Sequence, residues 1–333
     1  MPILFTGAFI FSFIASLGII YLAHRYDLFI DPVDPRKPQN FHTKTTPRAG
    51  GIAIFFGILP LASLSLGESL LLPTLLAFGS GIFEDFHRTL SPRFRLFLQI
   101  AAALSAVLLL NTVVTYLGLG ITMPYWLGVI FSIVAITGMM NAVNIIDGFN
   151  GLASGVVLLI LCSFGIVSWQ HHNWELLDVI LIIAGSVLGF FIVNFPRGRL
   201  FLGDGGAYML GFLTAVLGIF LAARYETVSP WYVLAILIYP VWEVLFSIIR
   251  KNYMKCSPLK PDSNHLHMLI YRHITHNNPL TSLLMVVLLV PFLTLSTIFA
   301  NKSNTNMAVA VTFIILYTLL YRYLYRKEVL QKN

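Results

Sequence analysis

Residues 123–151 read MPYWLGVIFSIVAITGMMNAVNIIDGFNG. The first part of this stretch is apolar and uncharged, and at about 20 residues it is long enough for a helix to cross the hydrocarbon core of a bilayer. A polar string that begins at Asn141 ends the apolar run. Asn141, Asn144 and Asp147 are spaced by three and therefore share one face of the helix end, and Gly148 permits a tight turn after them. The stretch predicts a transmembrane helix that presents polar groups at one surface of the membrane.

Apolar runs of this kind recur along the whole chain. Of its 333 residues 57% are hydrophobic and 11% are charged, and the mean hydropathy is +0.82, whereas soluble domains carry about 25% charged residues. We therefore predict an all-α integral membrane protein, a single polytopic domain over residues 1–333 with about eleven transmembrane helices. The predicted spans are 3–23, 50–66, 70–83, 94–115, 123–141, 151–170, 177–194, 206–223, 231–249, 280–299 and 307–325.

The basic residues predict how these spans are oriented. When the N-terminus is placed outside and the spans alternate, only Arg224 and Lys302 of the 21 lysines and arginines fall on the outer side. Because cytoplasmic loops carry an excess of basic residues, we predict an outer N-terminus and a cytoplasmic C-terminus. The formal net charge of +7 then reflects loops that lie beside anionic lipid, and we expect no nucleic-acid partner.

Acidic residues lie at the inner ends of the predicted spans. Glu84 and Asp85 end the third span, and such a pair suits a divalent cation or a general base, with a solvated helix end as the simpler alternative. Asp204 lies in the glycine-rich string FLGDGG at 201–206, which enters another span. Glycines at a helix N-terminus leave backbone N–H groups for a phosphate, and Asp204 can hold a cation that bridges to it.

Two further loops on the same side carry histidine and basic residues. The string SPLKPDSNHLH at 257–267 contains His265 and His267, and Arg272 follows. Zinc is only weakly indicated because cysteine partners are absent, whereas histidine and arginine facing a diphosphate fit the pattern better. The loop PRAGG at 47–51 is basic, as cytoplasmic loops normally are, and its paired glycines enter the next span.

Five short motifs follow one another along the chain. They are Pro-Arg-Ala-Gly-Gly at 47–51, Asp85 with Arg95 and Gln99, Asn-x-x-Asn-x-x-Asp-Gly at 141–148, Phe-Leu-Gly-Asp-Gly-Gly at 201–206 and Pro-Asp-x-x-His-x-His at 261–267. Together they resemble the motifs of the polyprenyl-phosphate N-acetylhexosamine-1-phosphate transferases, glycosyltransferase family 4. The resemblance covers about residues 20–275, and residues 276–333 would add two further spans and a cytoplasmic tail.

The chain is more similar to one branch of that family than to another. It resembles the enzymes that transfer GlcNAc-1-phosphate to undecaprenyl phosphate more than the phospho-MurNAc-pentapeptide transferases. The latter usually carry three consecutive histidines, where this chain has His265-Leu266-His267-Met268. It also departs from the family pattern, since Glu84-Asp85 replaces an Asp-Asp pair and Asn150 replaces an acid.

The resemblance implies a reaction and its residues. A phosphate oxygen of the polyprenyl phosphate attacks the sugar-bearing phosphorus of a UDP-N-acetylhexosamine and releases UMP, the first lipid-linked step of a cell-envelope polysaccharide. The implied cofactor is Mg²⁺ or Mn²⁺, held by Asp204 and Asp147. The implied catalytic residues are Glu84, Asp85, Asp147, His265 and His267. The implied substrate-binding residues are Lys37, His42, Arg48, Asn144, Asn150, Asn194, Phe201 and Arg272.

Two other functions remain as alternatives. One is a phospho-MurNAc-pentapeptide transferase, and the other is a transporter or lipid flippase, which is expected to place polar groups near the middle of the membrane and not at one face. We expect a multi-pass protein of the bacterial inner membrane with its active site on the cytoplasmic face. Its expected partners are the UDP-sugar, undecaprenyl phosphate and membrane lipid, and a homodimer is compatible with the sequence.

Overall fold

The computed structural model describes residues 2–31, 46–86, 90–255, 257 and 264–332. The helices of these ranges are α1 Pro2–Tyr26, α2 Gly50–Ile58, α3 Ser65–Asp85, α4 Pro92–Leu110, α5 Tyr125–Ile146, α6 Leu152–Gln170, α7 Trp174–Asn194, α8 Gly203–Arg224, α9 Pro230–Ile236, α10 Ile238–Tyr253, α11 Leu266–Ile270, α12 Asn278–Ile298 and α13 Ser303–Lys332. Two short antiparallel strand pairs are also present. They are β1 Ile30–Asp31 with β2 Thr46–Pro47, and β3 Tyr116–Gly118 with β4 Ile121–Thr122.

Helices of membrane length dominate the described ranges. Nine helices there are long and apolar enough to cross a membrane, or ten if α9 and α10 form one bent span. The prediction of an all-α integral membrane protein is therefore confirmed. The count of eleven and the orientation stay predictions. The count depends on α2, which even with the 3₁₀ turn Leu59–Ser63 that follows it is shorter than the roughly 20 residues a span needs.

The predicted third span, 70–83, is too short at both ends. Helix α3 runs from Ser65 to Asp85, because its polar first turn is held by a side chain from another helix. Glu175 at the start of α7 accepts hydrogen bonds from the Ser65 hydroxyl at 2.5 Å and from the Leu66 N–H at 2.8 Å. Hydropathy does not detect such a cap, since the first turn of α3 contains serine and glutamate residues.

The predicted span over 231–249 is divided into two helices. Helices α9 and α10 meet at Leu237 with a bend of 76°. Pro240 accounts for the break, since proline lacks the N–H that would bond to the carbonyl of Ile236 and its ring clashes with that carbonyl. After the bend, α10 contacts α11, since Glu243 of α10 accepts the N–H of Leu266 at 3.1 Å.

Helix α8 forms the centre of the bundle. Its most apolar window is 83% buried, whereas that of α1 is 17% buried, so α1 presents most of its surface to the surroundings. Glycines allow the neighbours of α8 to approach closely. A Cβ atom added to Gly81 of α3 would lie 2.4 Å from the backbone carbon of Asp204, and one added to Gly51 of α2 would lie 2.5 Å from the backbone nitrogen of Gly206. These contacts fix the start of α8 against α2 and α3.

Candidate active site

The C-terminal end of α3 is joined to the N-terminus of α8 through Asp85. One carboxylate oxygen of Asp85 accepts the N–H of Asp204 at 2.9 Å, and the other accepts the N–H of Gly205 at 3.0 Å. These N–H groups belong to the first turn of α8, which has no helical partner for them, and the positive end of the helix dipole favours a carboxylate there. Asp85 is 3% exposed. Its visible role is to hold Asp204 in place, and its catalytic role stays a prediction.

Asp204 lies at the centre of a chain of ion pairs. Its Oδ1 atom accepts a hydrogen bond from Arg48 Nη2 at 2.9 Å, and its Oδ2 atom is 3.8 Å from Arg95 Nη1. The same Arg95 nitrogen is 3.6 Å from Glu84 Oε2. The Asp204 side chain is 15% exposed and that of Glu84 is 29% exposed, so both carboxylates remain accessible to a ligand, whereas their neighbour Asp85 faces inward.

Backbone pairing brings Arg48 to this cluster. The Phe201 N–H donates to the Pro47 carbonyl at 2.8 Å, and the Gly50 N–H donates to the Phe201 carbonyl at 2.8 Å. The residues on either side of Arg48 therefore run alongside the entry to α8, and Arg48 itself pairs with Phe201. Phe201 is half-buried beside the cluster. Its predicted stacking on uracil stays a prediction.

The polar face at the end of α5 faces the same cluster. The Asn141 side chain donates to Gln99 Oε1 of α4 at 2.8 Å, and the Asn144 side chain donates to the Tyr208 hydroxyl of α8 at 3.4 Å. Asp147 follows at the end of the helix. Desolvation of its half-buried carboxylate raises the pKa to about 7; Arg48 opposes this increase and Asp204 adds to it. The helical spacing of three read from the sequence thus places these groups on one side of the site.

Asn150 and Asn194 hold the backbone of two loops together. The Asn194 side chain accepts the Gly151 N–H at 2.5 Å and donates to the Leu200 carbonyl at 2.7 Å. The Asn150 side chain donates to the Pro196 carbonyl at 3.0 Å. Each amide therefore joins the turn after α5 to the loop that leads into α8. Their predicted contacts with substrate remain predictions, and in the structure both serve to shape the site.

The two histidines of the predicted loop start α11 and lie against α10. His265 Nδ1 is 2.9 Å from Glu243 Oε1, and His267 Nδ1 is 3.1 Å from the Tyr239 hydroxyl. His267 is fully buried, and this burial lowers its pKa to about 4, with Glu243 opposing the shift, so the ring is neutral near pH 7. Its Nε2 atom lies 3.7 Å from where a Cβ atom of Gly148 would stand. His267 therefore reaches the turn next to Asp147.

Arg272 is held by the last helix of the chain. It donates to Glu328 Oε1 of α13 at 3.0 Å and to Asn264 Oδ1 at 3.1 Å, and His273 Nε2 lies 2.9 Å from Glu328 Oε2. The predicted role of Arg272 in binding substrate stays a prediction. Lys37 and His42, which the resemblance also assigns to the substrate, lie outside the described residues.

Several groups at the site have no role in the sequence prediction. Tyr208 stands one helical turn after Asp204 on α8, and that spacing could have indicated it. Glu243 is an acid inside an apolar stretch, which is a signal of function in a membrane protein, although its partner could not be read from the sequence. Arg95 and Gln99 occur in the motifs but received no role, and the structure joins Arg95 to Glu84 and Asp204.

The donor set fits a hard divalent cation bound together with substrate. No three His, Cys, Asp or Glu side chains of the described residues converge into a ready-made cage. Mg²⁺ commonly keeps several waters and is held by one or two carboxylates and the phosphates of a substrate, and Asp204 and Asp147 supply oxygen ligands of that kind. The cluster also has an excess of carboxylates over guanidinium groups, which would favour a cation. Its carboxylates are Glu84, Asp85, Asp147 and Asp204, and its guanidinium groups are those of Arg48 and Arg95.

Comparison with known proteins places this site in a family. The sequence profile of glycosyl transferase family 4 matches residues 68–222. The chain is 27% identical to the probable undecaprenyl-phosphate N-acetylglucosaminyl 1-phosphate transferase of Bacillus subtilis (strain 168), over 93% of this chain and 88% of the relative. It is 26% identical to the decaprenyl-phosphate N-acetylglucosaminephosphotransferase of Mycolicibacterium smegmatis, over 92% and 84%. It is 30% identical to a phospho-N-acetylmuramoyl-pentapeptide-transferase of Clostridium acetobutylicum, over 74% and 82%.

The fold and the site define a multi-pass membrane enzyme of the transferase class, with acidic and arginine side chains gathered at one end of a helical bundle. The chain belongs to glycosyl transferase family 4. The predicted family and the prediction of an enzyme are confirmed.

Proposed function

We propose that this enzyme transfers N-acetylglucosamine-1-phosphate from UDP-N-acetylglucosamine to a polyprenyl phosphate and releases UMP. Two of the relatives described above are named for transfer of N-acetylglucosamine phosphate to undecaprenyl or decaprenyl phosphate, and they align with nine-tenths of the chain. The pentapeptide transferase aligns over a shorter part of it. A two-substrate site for a lipid and a nucleotide needs an apolar passage that meets a polar cluster.

An apolar groove that extends along α5 as far as Ala142, near the polar end of that helix, is the observation that carries the proposal. It has a volume of about 500 Å³ and lies between α5, α8 and the bent pair α9–α10. Its lining runs from Leu117 near the β3–β4 hairpin to Ala142, which adjoins Asn141 at the polar end of α5. Lining side chains such as Phe131 and Val134 are 45% and 63% exposed, so the groove is open toward the membrane. A polyprenyl chain lying in it would carry its phosphate to the cluster.

The arginines and carboxylates of the cluster would handle the two phosphate groups. In the proposed reaction an oxygen of the lipid phosphate attacks the sugar-bearing phosphorus, and the bond from that phosphorus to the bridging oxygen of UMP breaks. Arg48 and Arg95, both at Asp204, would bind phosphate oxygens through charged hydrogen bonds. The lipid phosphate is already largely anionic near pH 7, so Glu84 would act mainly by positioning it and excluding misaligned approaches.

A divalent cation, Mg²⁺ or Mn²⁺, would neutralise the negative charge that develops on the departing UMP. Asp204 and Asp147 would hold it. His267 would face the same region as a neutral ring and donate or accept a hydrogen bond through Nε2. The role of Asp85 would be to keep Asp204 and the first turn of α8 aligned with these groups.

The site would lie on the cytoplasmic face of the bacterial inner membrane. UDP-sugars are charged and do not cross hydrocarbon unaided, and the basic residues predict that the loops with the site motifs are cytoplasmic. The structure adds that the motif-bearing helix ends lie together, since the end of α3 and the entry of α8 are hydrogen-bonded.

The proposal is tested with purified protein, undecaprenyl phosphate and a panel of donors. We expect UMP release and a lipid-diphosphate-sugar product with UDP-N-acetylglucosamine, and a much lower rate with UDP-N-acetylgalactosamine, UDP-glucose or UDP-MurNAc-pentapeptide. A preference for the pentapeptide donor would favour the second branch of the family. A protein that releases no UMP with any donor, although it binds cation and melts cooperatively, would contradict the proposal.

Cation dependence is measured in the same assay. We expect turnover to fall to background when a chelator is in excess and to return when Mg²⁺ or Mn²⁺ is restored. The carboxylates of the cluster outnumber its guanidinium groups, and a cation would offset that excess beside the leaving group. Full UMP release in the presence of chelator would remove the cation from the proposal.

A further inference from the structure

The buried acid on α10 has no role in the reaction as described so far. Glu243 is 1% exposed and stands in the helix that follows the 76° bend. Its Oε1 atom lies 2.9 Å from His265 Nδ1 and accepts a hydrogen bond from the Leu266 N–H at 3.1 Å. A buried carboxylate is costly unless its partners are well placed. Tyr317 of α13 also interacts with Glu243. The two groups that contact Oε1 both lie in the segment that carries the predicted catalytic histidines.

A second residue of α10 binds the second histidine in the same way. Tyr239 stands one helical turn before Glu243, and its hydroxyl lies 3.1 Å from His267 Nδ1. The rings of His265 and His267 are parallel within 3°, with their centroids 5.6 Å apart. Each ring is thus held through Nδ1 by a residue of α10.

The Nε2 atom of His267 lies at the turn that follows α5. His267 Nε2 is buried and has no hydrogen-bond partner among the described residues, and it lies beside Gly148 in the turn that follows Asp147. An unpartnered nitrogen at this position is explained if a substrate atom completes its hydrogen bonding. The His265 ring lies parallel to the His267 ring, with the two centroids 5.6 Å apart.

We propose that Glu243 is a positioning residue of the transfer reaction, acting through His265. Its carboxylate accepts the Nδ1–H of His265, fixes the ring with Nδ1 protonated and turns Nε2 toward the diphosphate of the donor. The inference deepens the proposed function and rests on it. A carboxylate that orients a working histidine is a recurrent arrangement in enzymes, where it sets both the tautomer and the ring angle.

The test is a double-mutant cycle with Glu243→Gln and His265→Gln. Glutamine at 243 keeps the volume and an oxygen for the Leu266 N–H, but it lacks the charge that selects the Nδ1–H form. We expect Glu243→Gln to lower kcat about 10- to 100-fold, the range typical of lost support behind a functional histidine, with the KM for the lipid unchanged. In the His265→Gln background the same change should have little further effect.

The matched control is Glu175→Gln. Glu175 also accepts one backbone N–H and one further hydrogen bond at the start of a helix, but it lies at the other end of α3 from Asp85. We expect this variant to keep the wild-type kcat. Melting temperatures of all variants separate loss of fold from loss of turnover.

A measurement on the wild-type protein does not depend on whether the variants fold. Nitrogen-15 NMR of histidine-labelled protein should show that Nδ1 of His265 is protonated. The His265 signal is assigned by its absence from the spectrum of His265→Gln or, if that variant does not fold, by coupling to neighbouring residues. Wild-type kcat in Glu243→Gln, additive losses in the double variant, or an unprotonated Nδ1 would each overturn the inference. A wild-type enzyme that releases no UMP with any donor would instead overturn the proposed function, and the NMR result would still test Glu243.

Discussion

Asp204 stands in the first turn of α8, where both of its carboxylate oxygens face arginine side chains. Replacement by asparagine keeps the shape of the side chain but removes a negative charge from the proposed cation site. We expect Asp204→Asn to lower turnover at least about a hundredfold, since one catalytic electrostatic contact contributes roughly 3–4 kcal/mol. The check is UMP release by a variant that melts within a few degrees of wild type. Near-normal turnover would exclude Asp204 from the reaction, and Glu226→Gln, an exposed acid away from the site, serves as control.

Asp147 shows how the site costs stability. Its pKa rises from 3.8 to about 7 in the folded protein, so the folded state binds the proton more tightly than the unfolded state. Protonation of Asp147 therefore stabilises the folded state fully below about pH 4, and this contribution is lost as the pH rises through 7. We therefore expect Asp147→Asn to raise the melting temperature in chelator at pH 8 and to give little gain near pH 4. A gain that is equal at both pH values would show that the carboxylate is not desolvated as described.

Helices α3 and α8 depend on glycine for their contact. A Cβ atom on Gly81 would meet the backbone of Asp204 and Gly205 at 2.4–2.6 Å, whereas one on Gly79 would meet nothing within 4 Å. Backbone atoms cannot move aside as a flexible side chain can, so Gly81→Ala must separate the two helices and with them Asp85 from the start of α8. We expect this variant to melt at a lower temperature and to lose most of its turnover.

The matched variant Gly79→Ala lies on the same helix two residues away. We expect it to keep full turnover and to be as stable as wild type or slightly more stable, because alanine favours a helix interior by about 0.5–1 kcal/mol over glycine. Equal losses in both variants would mean that the close approach of α3 to α8 is not what positions Asp85.

The arrangement of the whole molecule predicts the side from which the donor arrives. Thr227 follows α8 at the end of the bundle away from the site, and Ser257 follows α10 at the site end; both are exposed. In a protein without Cys162 and Cys256, we expect Thr227→Cys to be labelled in intact cells by an impermeant thiol reagent and Ser257→Cys to be labelled only after permeabilisation. The reverse pattern would invert the topology and contradict a cytoplasmic active site.

A comparison of the predicted spans with the observed helices shows what hydropathy can predict and what it cannot. Most of the predicted spans correspond to observed helices, since burial in lipid requires about 20 apolar residues whatever their neighbours. The same argument fails over 231–249, where Pro240 breaks the helix, and at 70–83, where Glu175 of another helix caps α3. One error is a local backbone effect that a hydropathy average hides, and the other depends on a distant residue.

The amino-acid pattern was sufficient for the membrane class and the set of polar motifs, because each follows from residue type and spacing along the chain. The resemblance of those motifs to a known family indicated the family. The partner of each side chain was not available from the pattern. Adjacent residues of a helix differ by about 100° in direction, so Asp85 turns inward to the backbone of α8 while Glu84 meets Arg95. Likewise, the link from Glu243 to His265 exists because α10 bends and α11 packs against it. Such contacts depend on which helix ends meet in space, and spacing along a chain carries no direct record of that.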